Sequence, residues 1–433
     1  VTVPAPEPAD SPAGGARRSR LAEAARLVAR TRRVDHDLDL LALAGGDGVL
    51  FERTKAGMAG RGEAIRLPVR EADELLSAIT VDDDVHAPGT GAVAFGALPF
   101  RPDPDAELVV PNVVWGRADD GTRWVTRIGQ ADVLDRGPDD ALPRPGPSPE
   151  ATDPQVAPGA VRVAPVRSAA WWCDLVAEAT EAMREAGDVG LRKVVLAREV
   201  LVEADRPFDR AAVLARLRAA FPGCFLFHVD GFLGASPELL VGRAGDIVRA
   251  QPMAGTAPRG GEPAADARLA ASLLASTTYR HEHQITIDMV HDTLLPWCSY
   301  LDYEAEPSVV GVANVQHLAT LVEGRLSQPA PSVLELVAAL HPTPAVNGWP
   351  RDLATQWILE HEGFDRGRYA GAVGWVDAAG NGTWAVSIRC ADVEGARARL
   401  CAGNGIVAGS DPATELAETQ AKLQALLGAL IRV

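Results

Sequence analysis

The sequence predicts a mixed α and β fold whose strands run mostly antiparallel, and three observations carry that expectation. Runs with helical period alternate with strand-like runs along the chain. The strand-like runs are short and punctuated by Gly and Pro, as hairpins and meanders require. A hydrophobic fraction of 47% over 433 residues supplies apolar side chains for a large core.

Composition narrows the function classes. A net charge of −16 argues against a nucleic-acid partner, and any cations that bind an anionic ligand must be gathered locally. Cys173, Cys224, Cys298, Cys390 and Cys401 are scattered and form no C-x-x-C, which suits reduced thiols in a cytosol and offers no zinc cage or disulfide frame. No run of about 18 apolar residues is present, so no membrane span is expected.

Residues 1–20, rich in Pro, Ala and Gly with no apolar h-region, read as a disordered tail rather than a signal peptide. From Leu21, LAEAARLVAR has helical period. Strand candidates follow at Gly48–Phe51, Ala64–Pro68 and Gly91–Phe100, then LVVPNVVWGR and TRWVTRIG. No chemical motif stands out there, and this part reads as scaffold. Gly137–Pro165 is a surface loop, because Pro at this density continues neither a helix nor a central strand; it bounds a domain or interrupts one sheet.

Ser168–Ala186 is an amphipathic helix ended by Gly187, and LRKVVLAREVLVEA after it is a strand with Lys193, Val195 and Ala197 on one face. A Lys alone in a β-branched run usually guards an edge strand. A helix over Arg210–Ala219 precedes a meander with turns at Asp230-Gly231 and Ala244-Gly245-Asp246. Within it Glu238 follows Ser-Pro, where a solvated turn residue is the ordinary meaning. Ala265–Leu295 reads as one long helix on which Glu282 shares a stripe with Ile285 and Met289, and a carboxylate facing apolar neighbours needs a partner or a metal. His281-Glu282-His283 does not complete H-E-x-x-H, so oxygen ligation of a hard cation fits better. A helix from Ser332, the constrained loop HPTPAVNGWP (341–350) and a hairpin around Gly380-Asn381-Gly382 complete this part.

The stretch Ser387–Lys422 holds two β-like runs joined at Glu394-Gly395, a Gly-rich loop (Gly403, Gly405, Gly409) and a helix opened by Ser410-Asp411-Pro412. On that helix Glu415, Glu418 and Lys422 share one face. With Arg389 before them, they can hold both a cation and an anion. Taken alone, a solvated charged face is the commoner meaning of such a helix.

The ordered set KVVLAR, GASPELL, PMAGTAPRG, RHEHQ, VQHLAT, HPTPAVNGWP, SIRCA, AGNGIV and E-x-x-x-K closely resembles the chorismate-utilising enzymes: anthranilate, aminodeoxychorismate, salicylate and isochorismate synthases. The resemblance is dense from about Val166 to the C-terminus and looser before it, where AFGALPF is still similar. Lys193, and Ala345 within HPTPAVNG, favour the isochorismate synthases. The family implies an α+β fold of the aminodeoxychorismate synthase type, in α/β/β/α layers. That is one domain over residues 21–433, with two packed, mostly antiparallel sheets flanked by helices.

The resemblance also implies Mg²⁺-dependent conversion of chorismate to isochorismate, with Lys193 as base and Glu238 as acid. Glu282 and Glu418 would ligate Mg²⁺, with Glu415 acting through water. Gly255, Thr256, His317, Ala345, Arg389, Gly403 and Lys422 would surround the substrate. His317 either orients the water or satisfies core polar groups, the second being the commoner role. A base role requires an uncharged Lys193, which burial and nearby cations would favour; the acid role requires Glu238 to stay protonated through desolvation. Asn404 departs from the smaller residue of many relatives and bears on the loop near the enolpyruvyl group. A cytosolic monomer without a glutaminase subunit is expected. Aminodeoxychorismate or anthranilate synthase, salicylate synthase and a silent chorismate-binding regulator are the alternatives.

Overall fold

Strands fall into a 13-stranded, a 9-stranded and a 3-stranded sheet in the computed structural model, which describes residues 12–136, 159–187, 190–259, 261–312 and 315–431. Pairing around the site is antiparallel, whereas Leu27–Arg33 runs parallel to Thr80–Asp83. One apolar cluster draws Phe51, Phe225 and Phe227 from the large sheet and Phe95, Val241 and Trp384 from the second, so the two sheets face each other across a shared core. On the outer face of the large sheet, helices Arg210–Ala220 and Pro412–Ile431 bury Leu214, Leu217, Leu423 and Leu430; helix Val333–Leu340 contributes Leu336 and Val337 on the other side. The expected α/β/β/α layers are present. The third sheet, Met253–Pro258, Ser308–Val312 and Val315–Ala319, adds to them.

Several elements form where local chemistry places them. Ser168 caps Ala169–Ala186 by accepting from Trp171 N–H, and Gly187 ends it at φ 57°. Ser332 and Glu335 close a capping box on Val333–Leu340. Asp230-Gly231 turns the Phe225–Val229/Phe232–Ser236 hairpin with both residues at positive φ.

Other elements differ. Residues 1–11 lie outside the described residues, but Pro12–Ala24 is a helix rather than a disordered tail, with Arg17 and Arg20 paired to Glu74 and Glu71. Leu27–Arg33 is a strand, not more helix: its side chains alternate between buried and less buried, the strand period. LVVPNVVWGR splits at Pro111, with Glu107–Val110 in the nine-stranded sheet and Val113–Arg117 in the large one. Of the Pro-rich loop, 137–158 lies outside the described residues, while Val161–Pro165 is a strand paired with Lys193–Ala204. That pairing, with Arg397–Ile406 on the other side, makes the Lys193 strand internal rather than an edge. The long helix breaks at Ser276, which ends Pro263–Ala275 and caps Thr277–Leu294, a Ser being better satisfied as a cap than in a helix interior. Gly403 and Gly405 lie within the strand Arg397–Ile406, leaving Gly409 in the loop.

Two steps between the sheets matter most for function. The chain leaves the large sheet at Ser236 and enters the second at Leu239, so Pro237-Glu238 spans the gap. It returns between Val386 and Cys390, so Ser387–Arg389 spans it again. Val386 N–H donates to the Glu238 carbonyl at 3.1 Å and Ser236 Oγ donates to the Val386 carbonyl at 2.6 Å, tying the two steps together.

Candidate active site

Beside these two steps lies a cavity of about 230 Å³, walled also by the Lys193 strand, the small sheet, the helix that begins at Thr277 and the C-terminal helix. Lys193, Glu238, Gly255, Thr256, Glu282, His317, Ala345, Arg389, Gly403, Glu415, Glu418 and Lys422, every site residue expected from the sequence, line this one cavity. Tyr279 and Tyr369 line it too and were not anticipated, and so does Gly405, which the sequence marked only as part of a Gly-rich loop. Alternation along the strand could have flagged Gly405, two residues beyond Gly403; nothing local marks the tyrosines.

Lys193 begins its strand, 4% exposed, and its Nζ donates to Glu282 Oε1 at 2.7 Å across 89 residues of sequence. A Cβ at Gly405 would stand 2.7 Å from Lys193 Cε and 3.3 Å from Glu282 Oε1, so the glycine makes room for this pair. Behind it, fully buried Glu362 and Arg366 form an ion pair; Glu362 accepts from Ala197 N–H, while Arg366 donates to the carbonyls of Val195 and Val346. Val195 and Val346 both line the cavity, so this pair locks the Lys193 strand to the loop bearing Ala345.

Glu238 is 3% exposed, not the solvated turn residue that Ser-Pro suggests, because the sheet-to-sheet step turns it inward. Desolvation pushes its carboxyl up to about 8, against a hydrogen bond from the Met253 backbone and the nearby Lys193 charge. It therefore holds a proton near neutral pH. At the other step Arg389 sits in the left-handed region at φ 53°, an uncommon conformation for a non-glycine residue and one that gathers at functional sites. Among the described residues its guanidinium has no hydrogen-bond or ion-pair partner, and burial pulls its pKa down. A desolvated cation facing a cavity without a partner is a ready anion site.

Lys422 Nζ donates to Glu418 at 2.7 Å, to the Gly403 carbonyl at 3.0 Å and to Asn404 Oδ1 at 2.6 Å. Asn404 Nδ2 donates in turn to Glu415 Oε2 at 2.9 Å and the Glu415 carbonyl at 3.0 Å. Strand alternation thus turns Asn404 away from the cavity toward the helix, where it holds Lys422 and Glu415 instead of shaping the substrate loop. His317 Nδ1 lies 3.1 Å from the Gly255 carbonyl and 3.2 Å from Thr256 Oγ1, and burial with Arg389 and Lys422 nearby pushes its pKa down to about 3. The neutral ring donates from Nδ1 to the carbonyl, which can only accept. Gly255 lies at an irregularity between Ala254 and Thr256 with φ 69°, which orients Thr256 toward His317.

The three expected metal ligands share the cavity with Tyr279, whose pKa rises under burial and the charges of Glu418, Glu282 and Glu415. Among the described residues no three His, Cys, Asp or Glu side chains cluster closely enough to cage an ion: Glu282 is engaged by Lys193, Glu418 by Lys422 and Glu415 by Asn404. Mg²⁺ is ordinarily held by one or two carboxylates, water and an anionic substrate rather than by an all-protein cage, so this all-oxygen set fits it.

The family model for chorismate binding enzymes matches residues 59–431. A Mycobacterium tuberculosis (H37Rv) protein assigned provisionally as isochorismate synthase MenF is 41% identical over 359 residues, 79% of this chain and 87% of that one. Isochorismate synthase DhbC of Bacillus subtilis is 43% identical over 254 residues, 56% of this chain and 64% of that one. A crystal structure from Bacillus anthracis, assigned provisionally as the 2,3-dihydroxybenzoate-specific isochorismate synthase DhbC, superposes with a TM-score of 0.73 at 31% identity, over 90% of this chain and 98% of that one. With a cavity that sets a protonated acid, an amine and a guanidinium unpartnered among the described residues about one space, and with these matches along most of its length, the chain belongs to the chorismate-binding enzymes.

Proposed function

We propose that this enzyme isomerises chorismate to isochorismate by adding water at C2 and expelling the C4 hydroxyl. The observation that carries the reading is Glu238, a carboxylic acid still protonated near neutral pH and sharing one cavity with the Lys193 amine. Water is a poor nucleophile and hydroxide a poor leaving group, so the exchange needs a base and an acid about the ring. Lys193 takes a proton from the attacking water, Glu238 gives one to the departing hydroxyl, and the ring double bonds shift; water enters and water leaves. To accept that proton Lys193 must be uncharged and released from Glu282. Arg389 and Lys422 receive the side-chain carboxylate, with the Tyr369 hydroxyl beside them, about 3.1 Å from where a Cβ on Gly403 would stand. Mg²⁺ held by Glu282 and Glu418, with Glu415 acting through water, would neutralise the ring carboxylate and ease departure of the hydroxyl. The names of the relatives support isomerisation over amination, and the five free thiols suit a reducing cytosol; the reading carries with it a monomer working without a glutaminase subunit.

The test incubates purified protein with chorismate and Mg²⁺, with and without ammonium, and identifies the products. Isochorismate in both arms is expected. An amino product appearing only with ammonium, or salicylate with pyruvate, would replace the assignment. Lys193→Ala and Glu238→Ala are each expected to abolish turnover while keeping a native circular-dichroism spectrum. Activity should vanish in a chelator and return with added Mg²⁺; full activity in the chelator refutes the metal requirement.

A further inference from the structure

We infer that Tyr279 is a further substrate-contacting residue, its ring closing the cavity against Gly255 and its hydroxyl donating to the substrate carboxylate that faces Glu282 and Glu418. The inference deepens the isochorismate synthase reading and rests on it. Tyr279 owes its place to the helix break. Ser276 Oγ accepts from Tyr279 N–H at 3.3 Å, fixing the tyrosine in the first turn of Thr277–Leu294, three residues before Glu282 and on the same face. Its ring lies along the glycine of the small sheet: a Cβ at Gly255 would stand 3.3 Å from Tyr279 Cβ and 3.4 Å from Cδ1. The residue is 38% exposed while lining the cavity, the position of a rim aromatic with one wet edge.

Among the described residues the Tyr279 hydroxyl has no hydrogen-bond partner, although it shares the cavity with three carboxylates whose charges reach it. Those carboxylates are engaged elsewhere, by Lys193, Lys422 and Asn404. A phenol keeps its proton near neutral pH and is therefore a donor. A doubly anionic substrate entering beside three carboxylates needs donors on that side, and Tyr279 supplies one that no acceptor among the described residues uses.

The experiment measures chorismate affinity by titration calorimetry in Mg²⁺ buffer on the Lys193→Ala background, where turnover is abolished, with Tyr279 intact, Tyr279→Phe and Tyr279→Ala. Steady-state kinetics on the otherwise wild-type enzyme run in parallel. Tyr279→Phe should weaken binding roughly tenfold or more, the size of a hydrogen bond to a charged acceptor. Tyr279→Ala should weaken it further. In both variants KM should rise while kcat and the melting temperature hold. Binding by Tyr279→Phe within twofold of its parent overturns the inference, as does a shift in Mg²⁺ half-saturation with chorismate affinity unchanged. Wild-type protein that binds no chorismate sinks the functional reading itself, whereas turnover by the Lys193→Ala background strikes only the base assignment.

Discussion

Glu238→Gln should make the protein more stable at alkaline pH and at the same time inactive. The carboxyl stands at about 8 in the folded enzyme against an ordinary 4.5 in the unfolded chain, chiefly because burial removes water from its charged form. Below pH 4.5 both states hold the proton and the group is neutral to stability. Between 4.5 and 8 the unfolded chain ionises while the folded one does not, so release of the proton favours unfolding and stability falls as pH rises. Above about 8 the folded enzyme carries the buried charge and the loss levels off. A gap of 8 minus 4.5, at about 1.4 kcal/mol per pH unit, puts roughly 5 kcal/mol against the folded state. Glutamine keeps the shape and cannot ionise. Urea unfolding of wild type and variant should therefore show an advantage for the variant of about 1 kcal/mol at pH 5 and about 5 kcal/mol at pH 8.5. Turnover disappears in the variant because the amide has no acid proton to deliver, and wild-type activity declines as pH rises through about 8. Equal stability differences at the two pH values, or a variant less stable than wild type at pH 8.5, would refute the desolvated-acid argument.

Gly405→Ala places a Cβ 2.7 Å from Lys193 Cε, which only the flexible end of that lysine can relieve, so kcat should fall about tenfold or more with an unchanged melting temperature. Asn404→Ala removes the 2.6 Å acceptor of Lys422 and both donations to Glu415; we expect a stability loss of about 1–3 kcal/mol by denaturant titration and a raised KM for chorismate. Arg366→Met leaves buried Glu362 uncompensated and the Val195 and Val346 carbonyls without their donor, for a loss of about 3–5 kcal/mol in the same assay. Replacing both members, Glu362→Leu with Arg366→Met, should recover part of that loss, since an apolar pair leaves no buried charge.

The site assembles from segments far apart in the chain. Lys193 comes from the interior of the large sheet, Glu238 and Arg389 from the two sheet-to-sheet steps, and Glu282 from a helix that starts afresh at Ser276. The ring of cations, acid and carboxylates exists only once both sheets have packed, and its members then hold one another by hydrogen bonds and ion pairs. Lys193 holds Glu282, Lys422 holds Glu418, and Asn404 couples Lys422 to Glu415.

What the residues determined alone was the chemistry with a short range. Ser168 and Ser332 announced their helices, Asp230-Gly231 its hairpin, and the spacing of Glu415, Glu418 and Lys422 a shared face. The ordered motifs carried the family resemblance and with it the layered architecture and the set of residues about one cavity. Tertiary structure decided the rest. It made the Lys193 strand internal, buried a Glu238 that Ser-Pro would have left in water, and turned Asn404 away from the substrate side. Periodicity and capping report contacts within a few residues, whereas burial, desolvation and ion pairing depend on partners that only folding brings near; Lys193 meets Glu282 across 89 residues that no local pattern spans.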